Sequence, residues 1–113
     1  MTDILLTDTP AEHVRVLTMN RPDQLNAMNA ELCEALHAEL ERCELDRSCR
    51  AIVITGAGRG FCAGVDLRGY GDAPGNDGSD EARDRLGNQQ HMSRLILRLR
   101  STPQPVIAAV NGP

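Results

Sequence analysis

Residues Ala51–Leu67 read AIVITGAGRGFCAGVDL. The first part, with Arg50 to Thr55 as its span, is a continuous apolar run rich in β-branched residues. Such a run reads as a strand buried on both faces of a sheet, which helices must then cover. GAGRG (Gly56 to Gly60) turns the chain directly after that strand, where ligands of open α/β sheets bind. It is no dinucleotide fingerprint, because the third glycine of G-x-G-x-x-G falls at Phe61. It is no P-loop, because the sequence contains no lysine. What remains is a turn of backbone N–H groups beside two small residues, Ala63 and Gly64, that let another molecule approach closely. Backbone donors aimed into a cleft can hold an oxyanion. The plainer alternative is a tight turn whose glycines only allow positive φ.

Working outward, helical periodicity returns from about Glu81 to Arg100, where Met92, Leu95, Ile96 and Leu99 share one face. STPQP (Ser101 to Pro105) stops that helix, and VIAAV (Val106 to Val110) reads as another buried strand. Strand, helix and strand in this order predict a right-handed crossover between parallel neighbours. Upstream, residues 4–8 and 13–20 read as a hairpin joined through Thr9-Pro10-Ala11-Glu12, and RPDQ (Arg21 to Gln24) ends the second strand. Asn29 can cap a helix from about Ala30 to Leu45, whose Leu32, Leu36, Leu40 and Cys43 form the apolar stripe. Residues 69–81 hold four glycines and several acids. They read as a long mobile loop, too polar to pack. The fold class is α/β, in one unit over residues 1–113.

Composition narrows the function. The 113 residues carry a net charge of −4, and all twelve basic residues are arginine. An acidic chain without a basic stripe is a poor nucleic-acid binder. The missing lysine removes Schiff-base and Ser-Lys chemistry. One Phe, one Tyr and no Trp leave no aromatic platform for single strands. The cysteines at 33, 43, 49 and 62 show no CxxC spacing, so no metal site is expected. The start MTDILLTD is no signal peptide, and no apolar run approaches the ~20 residues of a membrane span. A cytoplasmic protein with reduced thiols is expected. His13, His37 and His91 have no metal spacing and read as surface or helix-face residues.

Three segments together resemble the enoyl-CoA hydratase/isomerase, or crotonase, superfamily: NRPDQLNAMN (Asn20 to Asn29), AIVITGAGRGFCAGVDL (Ala51 to Leu67) and PQPVIAAVNGP (Pro103 to Pro113). Their order, their spacing and the intervening helix all match. The resemblance implies a crotonase-like spiral of ββα repeats, of which this is the N-terminal part. It implies acyl-CoA as substrate, with coenzyme A entering only as part of it and no prosthetic group. One donor of an oxyanion hole for a thioester enolate would be the backbone N–H of Val65, with Gly64 supplying the bend. Substrate contacts would come from Gln24, Leu25, Ala27, Ala63, Gly64, Asp66 and Leu67, largely through backbone groups. Family members often carry Lys or Arg where this chain has Gln24 or Leu25.

Asp66 can be read as a general base or as a structural cap of nearby amides, and the second reading is preferred. In the family, a segment like VIAAVNG leads to a second oxyanion donor and then to the catalytic glutamates. The chain ends at Pro113, so the expectation is a binding part of a longer polypeptide, a homo-oligomer (trimer or hexamer) when whole. The reaction implied is addition of water to a 2-enoyl-CoA. The alternatives are enoyl-CoA isomerisation and a non-catalytic CoA-binding or assembly fragment.

Overall fold

The computed structural model describes residues 3–113. Strand β1 (Leu5–Ala11) pairs antiparallel with β2 (Val14–Met19). A single 3-10 turn at Pro22–Gln24 leads to helix α1 (Ala30–Leu45), then to β3 (Ala51–Gly56), helix α2 (Glu81–Ser101) and β4 (Val106–Ala108). The four strands lie in the order β1-β2-β3-β4, and the β2/β3 and β3/β4 pairs are parallel. Each parallel pair is joined through a helix, as expected for the second pair. The result is the α/β architecture read from the sequence.

Helix α1 starts where its cap dictates. The Asn29 side chain accepts a hydrogen bond from the Leu32 N–H at 2.9 Å, a contact worth about 1 kcal/mol. Its stripe of Leu32, Cys33, Leu36, Leu40 and Cys43 is buried against Leu17, Met19, Ile52 and Ile54 of the sheet. Truncating one of these leucines to alanine costs about 2–5 kcal/mol, because the site cannot close fully over the void. Helix α2 adds Leu95 to this core and is capped by Asp80, which accepts from the Arg83 N–H.

Several expectations need correction. The hairpin turns at Glu12-His13, with His13 at φ 68°, three residues beyond the expected start of the turn at Thr9. Pro10 lies inside β1, an edge strand where a missing N–H leaves no ladder bond unmade. β3 is buried on one face only: Ile52 and Ile54 are covered, while Ala51, Val53 and Thr55 are half-buried. β4 is three residues long and half-buried to exposed rather than buried, since only β3 pairs with it.

The segment 69–81 does pack. Tyr70 and Ala73 are buried. The Ala73 N–H donates to Asn88 (3.2 Å), and the Asn76 amide donates to the Asp84 carbonyl (3.0 Å) and to Asn88 (2.9 Å). A count of polar residues missed this because a few side chains suffice to fasten it.

Candidate functional site

The glycine turn after β3 is gripped by two asparagines. Asn26, fully buried, donates from Nδ2 to the carbonyls of Ala57 (3.0 Å) and Gly60 (2.8 Å). Its Oδ1 accepts the Arg21 N–H at 2.7 Å. From the other side, Asn111 donates to the carbonyls of Gly58 (3.0 Å) and Gly60 (3.2 Å) and accepts the Gly56 N–H at 3.1 Å. Gly56 is required for space: a Cβ there would sit 2.3 Å from the Gly60 oxygen and 2.7 Å from Asn26 Nδ2. Leu25 and Asn26 both take left-handed backbone conformations, φ 51° and 57°, which let the 21–27 loop fold under the turn.

The amides that follow are mostly consumed. Phe61 and Cys62 both donate to the Pro113 carbonyl, at 2.6 and 3.2 Å, and Ala63 donates to the Leu25 carbonyl at 3.1 Å. The Met28 N–H donates to Gly64 O (2.7 Å), and the Asp66 N–H donates to Met28 O (2.9 Å). These two bonds form an isolated parallel bridge between Met28 and Val65. In such a bridge the central residue's own N–H and C=O face the opposite side. The Val65 N–H therefore points away from Met28, and among the described residues it meets no acceptor. Gly64 bends the chain at φ 100°, with no atom within 4 Å of where a Cβ would be. Ala63, Gly64, Val65 and Leu67 are exposed, Gln24 and Leu25 half-buried, and Ala27 buried beneath them.

Asp66 faces inward. It is 8% exposed, pairs with Arg21 Nη2 at 2.9 Å and accepts the Arg68 N–H at 3.0 Å. Arg21 also donates to the Ala27 carbonyl, so one guanidinium ties the 21–27 loop to the 61–67 segment. The Arg21 hydrogen bond, joined by those from Arg68, holds the Asp66 carboxyl well below the usual range, at about 2. A carboxylate so held is a weak proton acceptor at neutral pH. The capping role read for it from the sequence is what the geometry supports.

Beside this segment lies an apolar cavity of about 420 Å³, lined in part by Met28, Ile54, Phe61, Cys62, Ile96 and Leu99. It shares Met28 with the bridge to Val65.

Sequence reasoning missed Asn26 and Asn111 as organising residues; asparagine beside a turn is too common to signal a contact some 30 to 50 residues away. It also missed the seam between the helices. His91 is buried, not on the surface, with Nδ1 2.7 Å from the Tyr70 hydroxyl and Nε2 2.8 Å from Glu34 Oε2. Cys33 and His37 lie beside it, and donor atoms of the three residues fall within 4.8 Å of one another. The expectation of no metal-ligand spacing overlooked what helix packing brings together.

Known proteins resemble this chain in sequence and fold. The family model described as enoyl-CoA hydratase/isomerase matches residues 9–113. A Mycobacterium leprae protein named "Probable enoyl-CoA hydratase" is 40% identical over 113 residues, which is 100% of this chain and 38% of that protein. The 1,2-epoxyphenylacetyl-CoA isomerase of Escherichia coli is 40% identical over 99 residues, 88% of this chain and 37% of that one. A solved structure of a "probable enoyl-CoA hydratase/isomerase" from Mycobacterium abscessus superposes with a TM-score of 0.87 at 36% identity, covering 97% of this chain and 40% of the other. The chain thus spans about two-fifths of the length of the relatives it matches.

Proposed function

Since the chain belongs to the enoyl-CoA hydratase/isomerase family and has its crotonase-like α/β fold, we propose that it binds acyl-CoA thioesters and stabilises the enolate formed from their carbonyl. The single observation that carries this is the Val65 amide: a donor without a partner among the described residues, on an exposed segment whose neighbouring amides are mostly spent. Addition of water at the β-carbon of a 2-enoyl-CoA pushes an electron pair onto the thioester oxygen. An N–H already aimed at that oxygen meets the new charge without reorganising. The same donor serves double-bond isomerisation, in which a proton leaves one carbon and returns to another through the same enolate. Hydration is the reading preferred here.

The remaining roles follow from position. Exposed Ala63, Gly64 and Leu67, with Gln24 and Leu25 close by, flank the path of the pantetheine and nucleotide, and Ala27 backs it from beneath. The cavity beside Met28 and Cys62 suits an acyl tail, being apolar and about 420 Å³. Asp66 keeps the segment in place and takes no proton. No prosthetic group enters the reaction, and coenzyme A takes part only as the carrier of the acyl group. The whole protein would work as a homo-oligomer, a trimer or hexamer, with residues 1–113 as the N-terminal part of its domain. Among the described residues no helix is long and apolar enough to cross a membrane, in keeping with a cytoplasmic setting.

The test removes the hydrogen rather than the side chain. Val65→Pro deletes the N–H while leaving both bonds of the Met28 bridge available; Val65→Ala keeps it. Proline is expected to lower crotonyl-CoA hydration by the polypeptide carrying these residues about 10²–10³-fold, while alanine leaves it within a few fold. In the 113-residue chain, acetoacetyl-CoA should move the Val65 amide resonance far more than CoA alone does. A Val65 resonance indifferent to acetoacetyl-CoA overturns the assignment. Binding without turnover by this chain favours the non-catalytic reading for the fragment.

A further inference from the structure

We propose that Cys33, His37 and His91, at the seam between α1 and α2, form a site for a divalent transition-metal ion of the zinc class. The site is separate from the segment assigned to thioester chemistry. Cys33 and His37 are four residues apart on α1, so their side chains share one helix face. His91 enters from α2 across that face. One atom from each, a thiol sulfur and two imidazole nitrogens, lies within 4.8 Å of the others. An ion centred among three donors so spaced sits within roughly 2.8 Å of each. Shifts of about half an ångström bring the donors to zinc bond lengths of about 2.0–2.3 Å. The two imidazole rings, stacked with centroids 5.5 Å apart and 20° between planes, must also rotate so that their in-plane lone pairs converge. One sulfur and two nitrogens favour zinc, cobalt or copper over magnesium and calcium.

The surroundings supply the rest of a coordination shell. Glu34 Oε2 lies 2.8 Å from His91 Nε2, and its side chain is 56% exposed, so it can turn from hydrogen-bond acceptor to fourth ligand. Tyr70 is the outer partner. With Glu34 accepting from the His91 Nε2–H, the opposite Nδ1 accepts from the Tyr70 hydroxyl. In the proposed site the metal takes Nε2, and Nδ1 carries the proton and donates to the same oxygen, which keeps the ring oriented. The Cys33 thiol then gives up its own contact with the Tyr70 hydroxyl. A groove of about 620 Å³ lined by Glu34, His37, His91, Arg94 and Arg98 gives an entry path.

Three contacts must give way. The Cys33 thiol donates to the His91 carbonyl at 3.6 Å, and His37 Nε2 donates to the same oxygen at 3.4 Å. Arg98 Nε donates to His37 Nδ1 at 3.2 Å and must swing aside, toward Glu44, which its Nη1 already approaches at 3.6 Å. Its removal should therefore tighten the site.

Cobalt(II) titration of the reduced 113-residue chain tests this, because thiolate-to-cobalt charge transfer and tetrahedral d–d bands report the ligand set directly. The expected result is one ion per chain, displaced by zinc. His37→Ala should weaken binding at least tenfold, and Cys33→Ser should remove the charge-transfer band. Cys43→Ser and Cys62→Ser should leave the band in place, and Arg98→Gln should strengthen binding severalfold. Far-UV circular dichroism checks each fold. Should Cys33→Ser or His37→Ala fail to fold, Arg98→Gln and Glu34→Gln, both outside the core, carry the test. A folded, reduced wild-type chain that shows no thiolate band at millimolar cobalt overturns the proposal. So does a band that survives Cys33→Ser, disappears with Cys43→Ser or Cys62→Ser, or ignores both Arg98→Gln and Glu34→Gln.

Discussion

The two glycine-rich stretches between β3 and α2 are held in opposite ways. In 56–66 the main chain itself is the fastened part: two asparagines take its carbonyls, and Pro113, Leu25 and Met28 take its amides or return theirs. In 69–80 side chains are prominent among the fasteners, with Tyr70 on His91 and Asn76 on the first turns of α2. The first arrangement fixes peptide planes, which is what a backbone donor needs. The second fixes a path between two helices and leaves many planes free. Glycine serves a different need in each: at Gly56 it makes room, while at Gly75 it allows φ 92° in open space.

That contrast can be broken by substitution. Gly56→Ala drives a methyl group into the Gly60 carbonyl, backbone against backbone, and should cost about 3 kcal/mol or more. Loss of a cooperative urea transition would show it, and a variant as stable as wild type would remove the clamp from the account. Asn26→Ala strands the Ala57 carbonyl and the Arg21 amide and leaves the Gly60 carbonyl with Asn111 alone, around a fully buried position. About 2–3 kcal/mol should be lost in the same measurement. Gly75→Ala meets no atom within 4 Å and pays only for its backbone angle, so about 1 kcal/mol is expected. If Gly75→Ala proved as damaging as Gly56→Ala, the two stretches would not differ as described.

The smallest effect is in acid. Asp66 has a folded pKa of about 2 against an ordinary 3.8, so its contribution to stability is complete above the ordinary value and disappears as pH falls toward 2. Thermal midpoints of wild type should decline more steeply across that window than those of Arg21→Gln, in which the Asp66 ion pair is missing from the start.

The sequence disclosed what local rules govern. The Asn29 cap and the leucine period of four gave α1 its limits, and strand-helix-strand order gave the parallel β3/β4 pair. The proposed donor at Val65 was legible through its motif, and the structure adds the orientation of its peptide. Reading failed where a residue's meaning depends on what lies across the fold. Pro10 looked like a turn residue because nothing local marks β1 as an edge. The apolar β3 looked doubly covered because composition cannot tell which face the helices take. Asn111 and His91 act on partners roughly 55 residues distant, beyond any periodicity.

The bridge at Met28 couples the aim of one peptide to a long rigid rod. Met28 directly precedes the α1 cap, and the Ala30 amide is tied to the Tyr70 carbonyl at 2.7 Å. A tilt of that helix about its first turn would swivel the 64–65 peptide plane with it. Replacements far along the rod, remote from any bound thioester, should then register as altered turnover with unaltered affinity.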